Sequence, residues 1–89
     1  MNYLAFPVGN VGPGATVEVT LSGAESDVFL VDSVNLSKLK RGQSFRYTGG
    51  HYRQSPVRLR VPSLATWTAV VIPTGGRVNA SVRLVAQAS

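Results

Sequence analysis

The sequence of 89 residues predicts an all-β fold: a small β-sandwich of about seven short strands with one short helical turn. Three observations point there. Short runs alternate apolar and polar side chains, the period of a strand with one covered and one wet side. The runs are separated by Gly, Pro, Ser and Asn, which suit turns. Most of the helix signals lie in the stretch from Asp32 to Gly50. A chain this short makes one domain, residues 1–89, and 44% hydrophobic residues is too many for disorder.

Taken in order, Tyr3–Val8 reads as an edge strand, because Pro7 lacks the N–H that an inner ladder needs. GNVGPG follows as a loop. Ala15–Leu21 alternates, with Val17, Val19 and Leu21 inward and Thr16, Glu18 and Thr20 toward water. Ser22–Ser26 is a turn. Val28–Val31 is apolar throughout, as in a central strand covered on both faces. Asp32 ends it, and Ser33 offers a hydroxyl to cap a helical turn whose apolar edge is Leu36 and Leu39. Lys38, Lys40 and Arg41 suit the negative end of that helix dipole, and Gly42 stops it.

Gln43–Thr48 is expected as a strand, with Phe45 and Tyr47 on one face and Arg46 on the other. Gly49-Gly50 breaks it, and residues 51–55 form a loop. Pro56–Val61 turns Val57, Leu59 and Val61 inward and Arg58 and Arg60 outward. Thr66–Ile72 is β-prone, with Trp67, Ala69 and Val71 on one face. In Val78–Leu84, Val78, Ala80, Val82 and Leu84 point inward, and Asn79, Ser81 and Arg83 outward.

The chain resembles a bacterial family known as domain of unknown function 1883. Four stretches carry the resemblance: ATVEVTLSG, DSVNLSKLKRGQSFRYTGG, SPVRLRVP and VNASVRLV. They cover most of the chain in order, and the chain departs from the family at His51–Gln54 and in the tryptophan stretch. The resemblance implies a small β-rich module, found alone or beside a TIR domain, and it assigns no activity.

Composition removes most chemistry. With no cysteine there is no disulfide and no thiolate site. One histidine and four acids leave too few ligands for a metal centre. The only nucleophilic assembly that can be written is Ser33 or Ser55 with His51 and Asp32, and it lacks any local nucleophile signature. GNVGPG and TGGR match no phosphate loop. The expectation is no enzyme activity and no cofactor. No apolar run is long enough to span a membrane, and the first residues lack the pattern of a signal peptide, so a cytoplasmic protein with no membrane partner is expected.

Charge is unevenly placed. Glu18, Glu25, Asp27 and Asp32 all precede residue 33, and all nine Lys and Arg lie from Lys38 onward. The cations therefore lack acids nearby in sequence and must cross the fold to pair, or meet water or a partner. The expected partner-binding residues are Lys38, Lys40, Arg41, Arg46, Tyr47, His51, Tyr52, Arg53, Arg58 and Arg60. The expected function is a non-enzymatic interaction module that binds a protein or self-associates through this basic face and an edge strand such as NYLAFPV. The alternative is a polyanion or single-stranded nucleic acid gripped by the same cations and aromatics.

Overall fold

A computed structural model describes residues 3–86 of the chain. The elements are β1 (Leu4–Val11), β2 (Ala15–Gly23), β3 (Ser26–Asp32), α1 (Ser33–Lys40), β4 (Thr48–Tyr52), β5 (Val57–Arg60), β6 (Ala65–Pro73) and β7 (Val78–Ala86). They form two antiparallel sheets, one ordered β1-β6-β3-β4 and the other β5-β2-β7. The all-β sandwich is therefore the fold.

The main core lies between the sheets. Val17 and Val19 of β2 and Val57 and Leu59 of β5 meet Val28 and Leu30 of β3 and Trp67, Ala69 and Val71 of β6. Each valine or leucine among them taken fully from water stabilises the fold by about 1.5–3 kcal/mol. Trp67 keeps its polar atom satisfied, since its Nε1–H donates to the Ser63 carbonyl at 2.9 Å.

A second, smaller core covers the other face of the four-stranded sheet. There Phe29, Val31 and Val70 pack with Leu39 of α1, and Leu36, Phe45, Ile72 and Tyr3 close around them. This explains why β3 is apolar at every position from Val28 to Val31: alternate residues feed two different cores. The molecule thus has a third layer, made by α1 and the segment after it.

Several local expectations change. Asp32, not Ser33, caps α1: its Oδ1 accepts from the Asn35 N–H at 2.9 Å. A carboxylate there also suits the positive end of the helix dipole. Gly42 does terminate the helix, with φ +72°. The GNVGPG loop is shorter than expected, because β1 continues to Val11 through a register shift between Pro7 and Gly9. Residues 43–47 are not a strand. They are tied to α1 instead, by the Gln43 N–H on the Lys38 carbonyl at 2.9 Å and the Arg46 N–H on Asn35 Oδ1 at 2.8 Å.

The strand in this region is displaced to Thr48–Tyr52. Gly49 and Gly50 lie inside it rather than breaking it, and His51 and Tyr52 belong to it rather than to a loop. The glycine is needed at Gly49, where φ is +148° and an added Cβ would lie 2.6 Å from Phe29 Cα. Glu18 does lie on the outer face of β2, opposite Arg58 and Arg83, but it is only 8% exposed because those two arginines cover it. Leu84 shares the inward face of Val17, its cross-strand partner, but stays 45% exposed, because β7 has a neighbouring strand on one side only.

Gly49→Ala is expected to destabilise the fold by about 1–3 kcal/mol, the cost of a strained backbone. Gly50→Ala should be close to neutral, since nothing lies within 4 Å of the added carbon. Urea unfolding of the two variants checks this, and equal losses would contradict the Gly49 contact.

Candidate interaction surfaces

The ten residues expected to bind a partner fall into three places. Lys38 and Lys40 lie in the last turn of α1, Arg41 caps it, and Arg46 and Tyr47 follow in the segment tied to it. Arg58 and Arg60 lie on β5, across the molecule on the outer face of the three-stranded sheet. His51, Tyr52 and Arg53 lie on or just after β4. Register separates them further. His51 faces Asp27 on the helix side of its sheet, whereas Tyr52 packs toward the inter-sheet core. The expected single basic face is therefore not formed. Spacing along the chain could not reveal this, because α1 and β5 cover opposite sides of the sandwich.

Part of the positive charge is also neutralised internally. Glu18 stands opposite Arg58 on β5 and Arg83 on β7, since β2 is the middle strand of its sheet. Arg58 Nε donates to Glu18 Oε2 at 3.1 Å and Arg83 Nε to Oε1 at 2.8 Å. The Arg83 hydrogen bond holds the Glu18 carboxyl below its ordinary value, with Arg58 assisting and desolvation opposing.

A second network sits at the junction of β3 and β4. His51 Nδ1 is 2.8 Å from Asp27 Oδ1, and its Nε2 is 3.6 Å from Glu25 Oε2. Arg53 Nε reaches the same Glu25 oxygen at 3.0 Å. The Asp27 hydrogen bond pushes the imidazole above its ordinary value, with Glu25 adding to it and desolvation opposing.

Beside this network lies a cleft of about 360 Å³, lined by Asp27, Phe29, Phe45, Tyr47, Gly50, His51 and Ile72. The rings of Phe29, Phe45 and Tyr47 have centroids 5.1–5.7 Å apart and are mutually tilted. Tyr47 stays 57% exposed. Phe45 and Tyr47 stand near the cations, as the sequence predicts, and Asp27 and Phe29 join them as unexpected neighbours. The alternation of β3 carried that signal, since it puts both residues on one face.

The nucleophilic assembly considered from sequence is not built. Asp32 is bonded to the Asn35 backbone and side chain. Ser55 Oγ accepts from the Leu21 N–H at 2.8 Å, a position beyond the last β2–β5 pair. His51 turns to Asp27. Among the described residues no group of three or more His, Cys, Asp or Glu could hold a metal ion.

The two networks predict opposite pH limbs. Glu18 has a lowered value, so its contribution to stability is present above the ordinary carboxylate range and is lost as pH falls through the lowered value. His51 has a raised value, so its contribution is full below the ordinary imidazole value and is lost as pH rises through the raised one. Melting temperature measured against pH should show a flatter acid limb in Glu18→Gln and a flatter near-neutral limb in His51→Gln. Limbs unchanged from the parent would remove the corresponding network as a source of stability.

Comparison with curated proteins and with solved structures finds no match. A family profile does match, over residues 1–88. The chain belongs to the family described as Domain of unknown function (DUF1883).

Proposed function

We propose that this chain is a non-enzymatic interaction module that takes an extended strand from a protein partner, a second copy of itself included, along an open sheet edge. The observation that carries this reading is the state of β7. An exposed strand edge presents unpaired N–H and C=O groups, and proteins usually blunt it. β1 is blunted by Pro7 and a register shift. β5 has four residues, with Pro56 before it and Pro62 just after. β4 has five. β7 runs for nine residues without Pro or Gly and pairs with β2 alone. Its one charged residue, Arg83, is engaged by Glu18, and Leu84 and Val85 are exposed near its end. Strand addition at such an edge obtains affinity from main-chain hydrogen bonds and specificity from alternate side chains.

The second reading, a polyanion or single-stranded nucleic acid as ligand, is favoured by a separate observation. Lys38, Lys40, Arg41 and Arg46 are exposed, and among the described residues none has a carboxylate within 4.0 Å. The proposed setting for either reading is the cytoplasm, which suits a chain without cysteine. No helix among the described residues is long and apolar enough to cross a membrane.

Light scattering over a concentration series should show reversible self-association at high concentration, and Leu84→Lys should reduce it while leaving the fold intact. A strict monomer that also captures no strand-forming partner through β7 would end the first reading. Titration with labelled single-stranded DNA and RNA at about 50 mM salt, where phosphate contacts are strongest, tests the second. Binding there should weaken steeply with added salt and be mostly lost when Lys40, Arg41 and Arg46 are changed to Ala.

A further inference from the structure

We propose that the cleft beside β4 is a binding site for an arginine side chain, carried by an extended peptide segment of a partner that pairs with the free edge of β4. This site is separate from β7, so either can fail without the other.

The shape and chemistry of the cleft select the ligand. Its lining joins the clustered rings of Phe29, Phe45 and Tyr47 and the side chain of Ile72 to the Asp27–His51 pair. Aromatic faces attract cations, and a guanidinium lies flat on a ring better than an ammonium does. Asp27 spends Oδ1 on His51, and among the described residues none pairs with its second oxygen. At a pH above the raised His51 value the imidazole is neutral and donates to Asp27, which leaves the negative charge in place. The nearby cation, Arg53, is engaged with Glu25. A guanidinium would thus meet rings along its plane and a carboxylate at its end, the geometry in which arginine forms its strongest hydrogen bonds. An anionic ligand would meet Asp27 instead.

Strand geometry supplies the direction of approach. β4 pairs with β3 alone; its five residues make a shorter edge than β7, enough to steer a segment anchored by its side chain. His51 and Gly49 lie on its cleft side. An added strand would turn alternate side chains to that same side, and one of these reaches the rings. A volume of about 360 Å³ is at the low end for ligand pockets and suits one side chain.

The site is also sensitive to pH. The groups facing His51 are Asp27 of β3 and Glu25 of the preceding turn, with Tyr47 across the cleft. Arg53 shares Glu25, and α1 contributes nothing to the lining. Protonated His51 would neutralise Asp27 and repel a second cation, so arginine binding should weaken as pH falls.

The test follows amide and side-chain NMR shifts of the full chain titrated with acetyl-Thr-Val-Arg-Val-Thr-amide and with the same peptide carrying citrulline in place of arginine. The arginine peptide should move Gly49, Gly50, His51 and Tyr47 and bind about tenfold more tightly than the citrulline peptide, the difference expected for a charge-assisted pair. Asp27→Asn should erase that preference, Tyr47→Ala should weaken both peptides, and N-acetyl-arginine amide alone should bind more weakly than the peptide. Lowering pH from about 8 to about 5.5 should weaken the arginine peptide only, as the histidine gains its proton. Should Asp27→Asn fail to fold, Tyr47→Ala and the pH series still decide. Equal affinity for the two peptides, no shifts at millimolar peptide, or shifts confined to β7 would overturn the proposal.

Discussion

The whole arrangement depends on β3 being covered on both faces. Val28 and Leu30 point into the inter-sheet core, and Phe29 and Val31 point the other way. A four-stranded sheet with such a strand near its centre cannot leave one side to water. α1 and the segment behind it are the cover, and Leu39 is the side chain that α1 buries most deeply. Asp32 links the two, because it ends β3 and caps α1 with the same side chain. The chain leaves the sheet and folds back over it within one residue.

That cover has consequences for the surface. Holding residues 43–47 against Phe29 brings Phe45 and Tyr47 over β3 and β4, and pairing Asp27 with His51 sets a polar wall beside them. The cleft is a by-product of a short helix that cannot cover the sheet to its edge. It combines aromatic rings, a carboxylate and a backbone edge at one corner.

The charges follow the same logic of strand neighbours. The middle strand of the three-stranded sheet carries an acid, and each flanking strand carries an arginine opposite it. Glu18 is buried because those two side chains lie over it, their stems covering the sheet while the guanidiniums stay partly in water. Arg53, Arg58 and Arg83 are therefore committed within the fold. Among the described residues the cations of α1 meet no carboxylate, and they stand on the opposite side from the three-stranded sheet. A net charge of +5 thus divides into a paired part and a free part.

The sequence by itself determined the fold class, the strands with a strong period of two, and the double coverage of β3. Each rests on local side-chain alternation, which needs no knowledge of neighbours. It determined the helix stop at Gly42 and the edge character of β1 for the same reason, since backbone limits on glycine and proline are local. It misplaced β4, because Gly49-Gly50 reads as a break wherever the contact with Phe29 is unknown, and aromatic alternation at Phe45 and Tyr47 imitates a strand. Only the tertiary structure decided which cations share a surface and which acids they meet. Those outcomes depend on strand order and register between segments far apart in the chain, 65 residues in the case of Glu18 and Arg83, and no local pattern encodes a pairing across that distance.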